Sequence, residues 1–156
     1  MPMVQRSSGE PGFVIDRSTH SIRLQRSLDA PPEIVFEAWT SPAHLKDWWD
    51  PSGQPLAVCK VDLRPGGAFT FVSKGRPDMP FSGVYIEIIP AKRLTFEALG
   101  ATGRVKLEKA GEGTRLLVEI QCSSAEHLEQ FLREGVSEGT SATLDHLVEH
   151  LRSSTR

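Results

Sequence analysis

The sequence predicts an α+β fold in which a curved, seven-stranded antiparallel sheet wraps around a long C-terminal helix, with two short helices after the first strand. Three observations predict it. Residues 21–28 alternate between apolar and polar side chains, which is typical of a strand with one buried face. Residues 56–122 divide into strand-sized apolar runs separated by turns, and 124–153 carry apolar residues at helical spacing. A sheet with one long helix must curve around it to bury its apolar face.

The N-terminal residues precede this pattern. Residues 1–12 are polar, with two prolines and two glycines, and we expect a flexible leader. A short apolar island at 13–15 separates the leader from the first strand. Because 156 residues are a common length for one domain with its own core, we expect a single domain over 13–153.

Two short helices are predicted after the first strand. Asp29 is a suitable N-cap, and the two prolines that follow cost little in a first helical turn, where N–H groups lack partners. Apolar residues at helical spacing continue to Trp39, where Thr40-Ser41-Pro42 breaks the helix. A second helix, 43–49, ends at a turn.

The remaining strands are predicted to form a meander. Their runs are 56–63, 68–73, 81–89, 93–99, 102–108 and 114–122. Turns or loops, most of them containing Gly or Pro, separate these runs, so we expect successive antiparallel hairpins.

The C-terminal segment, 124–153, is predicted to be helical with Ser124 as its N-cap. Its apolar residues form two stripes that are rotated by roughly a third of a turn at 100° per residue. Gly135 and Gly139 lie between the stripes and lower helix propensity. Either one helix bends there or two helical pieces meet.

Composition and charge exclude several classes of protein. Hydrophobic residues make up 38% and charged residues 24%, as in an ordinary globular chain. The net charge of −2, with acidic and basic residues interleaved, argues against binding to nucleic acid. No apolar stretch reaches the roughly 18 residues of a membrane span. Cys59 and Cys122 lack CxxC spacing and no signal peptide precedes them, so we expect reduced thiols and a cytoplasmic location.

One motif is typical of metal sites. His146 to His150 form HxxEH, the pattern of inverse zincins. A catalytic zinc site needs a third protein ligand, and residues 151–156 contain no carboxylate, histidine or cysteine side chain. At 100° per residue both histidines also fall on the helix face away from the apolar stripe, which we expect to be solvated. We therefore expect no metal at this motif. Separately, we expect no cofactor and no catalytic residue.

Five segments carry a resemblance to a known family. They are LDAPPEIVFEAWTSPAHLKDWWDPSG at 28–53, DLRPGGAF at 62–69, GVYIEIIPAKRLTFEA at 83–98, GTRLLVEI at 113–120 and GTSATLDHLVEHL at 139–151. In this order they resemble the activator of heat-shock-protein-90 ATPase-like family of the START-like (SRPBCC, helix-grip) superfamily. The resemblance implies a cavity between the sheet and the C-terminal helix, where hydrophobic ligands bind in relatives.

The function that follows is the non-catalytic binding of a small hydrophobic or amphipathic molecule in that cavity. Many relatives carry Trp where this sequence has Ala98 and Thr140, so two bulky side chains are missing from faces that point inward. The residues that we expect to line the cavity are Trp48, Trp49, Phe69, Phe71, Phe81, Tyr85, Phe96, Ala98, Phe131, Leu132, Gly135, Val136 and Thr140.

Two other functions stay open. A cyclase- or hydrolase-type enzyme would need polar groups that converge in the cavity, and the candidates are Tyr85, Glu87 and Arg104. Alternation places Glu87 on the same face as Tyr85 and Phe81. A co-chaperone-like interaction module would instead work through its outer surface. A homodimer is compatible with the sequence, since twofold dimers are the commonest oligomers.

Overall fold

The computed structural model describes residues 12–154 of the chain, so the predicted leader, apart from Gly12, lies outside the described residues. The helices and strands are β1 (Val14–Asp16), β2 (Ser21–Leu28), α1 (Pro32–Thr40), α2 (Pro42–Trp48), β3 (Leu56–Val61), β4 (Ala68–Ser73), β5 (Phe81–Ile89), β6 (Arg93–Ala98), β7 (Ala101–Ala110), β8 (Gly113–Gln121), α3 (Ala125–Arg133) and α4 (Val136–Ser154). This is the predicted helix-grip architecture, with the short helices after the first strands and helices at the C-terminus.

The strands form one antiparallel sheet in the order β1-β2-β8-β7-β6-β5-β4-β3. From β3 to β8 each strand pairs with the next, as the predicted meander requires. Strand β2 and the last strand, β8, are neighbours in the sheet, and Ser21 of β2 lies opposite Gln121 of β8. The described residues contain eight strands where the sequence predicts seven. The additional one is β1, whose three residues are too few for alternation to identify as a strand.

The Trp48 indole connects helices α1 and α2. Trp48 of α2 donates its Nε1–H to the carbonyl oxygen of Ala38 in α1 over 3.0 Å, and the whole side chain is buried. The N-cap of α1 is Pro31, with no side-chain cap, so the prediction of Asp29 as the cap is wrong. The prolines themselves already set the extended backbone conformation that precedes the helix.

A β-bulge changes the faces of β5. The register shifts between Tyr85, which lies opposite Phe96, and Glu87, which lies opposite Thr95. An extra residue in one strand interrupts the alternation of faces. Tyr85 is therefore buried on the inner face, whereas Glu87 lies on the outer face, where it pairs with Arg93. The prediction that Glu87 shares a face with Tyr85 is wrong.

The C-terminal segment consists of two helices. Ser124 caps α3 as predicted, since its Oγ accepts a hydrogen bond from the His127 N–H over 3.1 Å. Gly135 separates α3 from α4 with a φ of 77°, a left-handed conformation that favours glycine. Of the two arrangements that the sequence leaves open, the structure has two helical pieces that meet at this residue.

The core lies between the inner face of the sheet and α4. Leu147 and Leu151 of α4 are fully buried in one hydrophobic cluster that includes Ile22 of β2. Arg26 of β2 reaches across this layer, and its Nη2 donates to the carbonyl oxygen and the Oγ of Ser141 in α4 over 3.1 and 2.7 Å. These contacts fix α4 against the sheet and so define the space under its N-terminal part.

Candidate functional site

A cavity of about 400 Å³ lies between the sheet and the N-terminal part of α4. This volume falls within the roughly 300–1,000 Å³ that is usual for small-molecule sites. The residues that line it are Trp39, Trp49, Pro51, Arg76, Phe81, Phe96, Ala98, Leu99, Ala101, Gly103, Val118, Ile120, Phe131, Gly135, Val136, Gly139, Thr140, Thr143 and Leu144. Most of them are apolar, so the cavity favours an apolar occupant.

The sheet wall of the cavity has small residues at its centre, and these leave space between the sheet and α4. Ala98 of β6 lies opposite Ala101 of β7, and Phe96 lies opposite Gly103. A Cβ atom at Gly103 would lie only 2.5 Å from the Phe96 ring. The absence of a side chain at Gly103 therefore lets the Phe96 ring lie flat on β7 and leaves space above it.

The helix wall of the cavity also contains small residues. Gly135, Gly139 and Thr140 form the part of α4 and its N-terminal turn that borders the cavity. A Cβ atom at Gly139 would make only an ordinary contact, 3.8 Å from Pro51. The structure thus brings the two predicted small residues, Ala98 and Thr140, to opposite walls of one cavity.

The chain after α2 forms another wall. The ring centroid of Trp49 lies 4.9 Å from that of Phe71 and 5.5 Å from that of Phe81. Thr143 of α4 donates its hydroxyl to the Trp49 carbonyl over 2.9 Å, which ties this wall to the helix. Arg76, from the loop between β4 and β5, is exposed and contributes the one charged side chain of the described lining.

Eight of the predicted lining residues border this cavity. They are Trp49, Phe81, Phe96, Ala98, Phe131, Gly135, Val136 and Thr140. The structure places the other five, Trp48, Phe69, Phe71, Tyr85 and Leu132, outside the lining.

The reason is that these five side chains fill space instead of bordering it. Trp48 is packed between the short helices, and Leu132 packs against the edge of the core. Phe69, Phe71 and Tyr85 form an aromatic layer behind Trp49, where the remaining gap of about 10 Å³ can hold no ligand.

Sequence reasoning missed the contribution of β7 and β8 to the cavity. Ala101 and Gly103 line it, and they lie in phase with Val105, whose side chain is buried. This alternation was available as a signal for an inward-facing wall. Trp39, the last apolar residue of the predicted first helix, also lies in the lining, and its buried Nε1–H has no hydrogen-bond partner among the described residues.

The polar groups proposed for an enzyme do not converge in the cavity. Glu87 lies on the outer face, and so does Arg104, which donates to Glu119 over 3.0 Å and to Gln121 over 2.8 Å. Tyr85 is in the aromatic layer, and burial, with a smaller contribution from the charge of Cys59, raises its pKa to about 12. Burial likewise raises the pKa of the Cys59 thiol to about 11.

The histidines of the HxxEH motif contact α2 and the turn that follows it. Nε2 of His150 lies 2.9 Å from Nδ1 of His44 in α2, and His146 lies beside Gly53. The prediction that this face of α4 is solvated is wrong, because α2 and the following turn cover it. Burial lowers the pKa of His150, and the nearby charge of His44 lowers it further, while Asp47 opposes the shift. Within residues 12–154 no three His, Cys, Asp or Glu side chains form a group that could hold a metal ion.

The helices of the described residues are also too short or too polar to cross a membrane.

Comparisons with known proteins place the chain among structurally characterised relatives. The family model described as Activator of Hsp90 ATPase homolog 1-like protein matches residues 29–152. Protein NE0264 from Nitrosomonas europaea is 27% identical, with a TM-score of 0.79 over 86% of this chain and 96% of its own. Protein CV1439 from Chromobacterium violaceum is 28% identical, with a TM-score of 0.69 over 84% and 96%. CalU16 from Micromonospora echinospora is 29% identical, with a TM-score of 0.63 over 84% and 75%. No curated protein matches the chain significantly.

Proposed function

The chain belongs to the Activator of Hsp90 ATPase homolog 1-like family, and from this premise we propose that it binds a small hydrophobic or amphipathic molecule between its sheet and its C-terminal helices, without catalysing a reaction. The observation that carries the proposal is the cavity of about 400 Å³. Protein interiors are normally close-packed, so an apolar space of this size next to a filled core is an exception that a ligand would explain. Removing apolar surface from water stabilises a complex by about 25 cal/mol per Å².

The composition of the cavity walls supports binding rather than catalysis. Small residues open both walls, Ala98 from the sheet and Gly139 with Thr140 from α4. The hydroxyl of Thr143 already donates to the backbone. An enzyme would need an acid or base within reach of a bound substrate, and the candidate Glu87 lies on the other side of the sheet.

The location that we propose is the cytoplasm. Cys59 and Cys122 are free thiols in the structure. Reduced cysteines are typical of cytoplasmic proteins. The proposed unit is a single domain over 13–153, in keeping with the one sheet of the described residues.

The test is to fill the cavity with a side chain. Ala98→Trp and Thr140→Trp each place an indole ring in the space that a ligand would occupy. In a filled core such an insertion costs about 1–3 kcal/mol. Over an open cavity we expect the melting temperature to stay or rise, while the binding of a fluorescent naphthalene dye falls sharply. Thermal unfolding and fluorescence titration measure the two quantities.

Ala110→Trp is the matched control, because Ala110 is exposed at the end of β7. This variant should retain the melting temperature and dye binding of the wild type. A wild-type protein that binds no apolar probe, combined with strong destabilisation by both cavity variants, would show that the space is core and would refute the proposal.

A further inference from the structure

The chemistry of the cavity ligand can be narrowed from the polar groups of the lining, an inference that rests on the binding function proposed above. Arg76 borders the cavity. Its guanidinium makes no hydrogen bond to an oxygen atom of the described residues. None of the described lining residues carries a carboxylate. The lining therefore presents a positive charge to its contents.

The positive charge is at the exposed side of the cavity. Arg76 is solvent-exposed, and its Nη1 contacts the neutral Sδ of Met79 at 3.6 Å. No carboxylate of residues 12–154 pairs with it, whereas arginines on the outer face do have such partners, such as Arg93 with Glu87. A guanidinium stays charged at physiological pH and matches a carboxylate through two parallel hydrogen bonds.

We propose that the ligand is an apolar carboxylic acid. Its carboxylate pairs with Arg76, where the charge keeps contact with water, and its apolar body fills the cavity. A charge is costly to bury, so the exposed position of Arg76 suits the carboxylate.

The test of the carboxylate compares dodecanoic acid with its methyl ester, which has the same chain and no charge. Displacement of the naphthalene dye measures the affinity of each. We expect the acid to bind at least about tenfold more tightly than the ester to the wild type, in line with a charge-assisted hydrogen bond. Arg76→Gln should abolish this preference and Arg76→Lys should keep part of it. Arg93→Gln removes the same charge from the outer face and should leave the preference unchanged.

The outcomes separate this inference from the function on which it rests. Equal affinity for acid and ester in the wild type, or an unchanged preference for the acid in Arg76→Gln, would overturn the role of Arg76. Both results leave binding of an apolar molecule standing. Failure of the dye, the acid and the ester to bind at all would instead refute the proposed function.

Discussion

The two ends of α4 contact the same sheet and differ in what lies between. Toward the C-terminus, Leu147 and Leu151 are fully buried in the hydrophobic core. Toward the N-terminus, Gly139 and Thr140 border a cavity of about 400 Å³. We call the first region the filled end and the second the open end. Small side chains on both walls are one cause of the difference, because Ala98 and Gly103 lie opposite the glycine and threonine of the open end.

This contrast indicates a division of labour along one helix. Buried leucines contribute stability in proportion to the apolar area that they remove from water. Small residues at the open end contribute little of this kind, and they leave apolar area exposed that a ligand can cover. The filled end therefore supplies the free energy of folding, and the open end can be changed without losing the fold.

The sharpest test of this division is truncation at the two ends. Leu147→Ala should lower the free energy of unfolding by about 2–5 kcal/mol, because it leaves a hole in a close-packed region. Val136→Ala at the open end should cost less than about 1 kcal/mol, since the half-buried side chain already borders a cavity. Urea denaturation measures both values. Similar losses at the two positions would contradict the division.

The next prediction concerns two glycines of the lining. Gly103→Ala forces the Phe96 ring to move, because the new Cβ would lie 2.5 Å from it. We expect a loss of about 1–3 kcal/mol from this overpacking. Gly139→Ala meets only Pro51 at 3.8 Å and improves helix propensity, so it should stabilise the protein by up to about 1 kcal/mol. Urea denaturation that gave the same sign for both would show that the helix wall is as tightly packed as the sheet wall.

A third prediction locates the boundary between filled and open space. Tyr85 is the only tyrosine of the chain and lies in the aromatic layer, where burial raises its pKa to about 12 from an ordinary value of 10.0. The absorbance of tyrosinate should therefore stay absent well above pH 10 in the folded protein. In this interval the unfolded state has lost the proton that the folded state keeps, so stability falls as the pH rises. A midpoint near 10 with intact circular dichroism would place the layer in contact with solvent.

The smallest effect is expected at the contact between α2 and α4. The pKa of His150 lies below its ordinary value of 6.5, because burial and His44 disfavour the charged form and outweigh Asp47. The unfolded state thus takes up this proton first, and stability falls as the pH drops below about 6.5. We expect His150→Gln to flatten this part of the melting-temperature profile from about pH 8 to pH 5. An unchanged profile would show that the pair does not couple to folding, and His20→Asn serves as the control.

The strands were predictable because most of them have one clearly apolar face. Leu94, Val105 and Leu116 are buried on three neighbouring strands, as their alternation indicates. The bulge in β5 was not predictable from the sequence. Ile86 is apolar but 47% exposed on the outer face, so β5 has apolar residues on both faces and their pattern does not reveal the change of register. Gly135 marked the break between the helices, yet a bend would have left the same signal.

The sequence predicted which aromatic residues lie near the site, but it did not predict which of them border the cavity and which fill the core. Phe71 and Phe96 have similar sequence surroundings, and the first fills the aromatic layer while the second borders the cavity. Which of them faces a void depends on how distant elements pack, and no local pattern encodes that. Arg76 lies in a loop, whose position relative to the cavity is determined by tertiary structure.

The pairing of β2 with β8 bears on how the chain folds. Strands β3 to β8 can form as successive local hairpins, each closing a short loop. By contrast, β2 has to wait for β8, since the contact of Leu28 with Thr114 spans most of the chain. Long-range contacts of this kind slow folding, because the entropy of closing the loop is lost before the contact forms. During synthesis β2 therefore stays without its β8 partner until β8 has left the ribosome, and the unpaired edge of β2 is the part of the sheet that needs protection from aggregation.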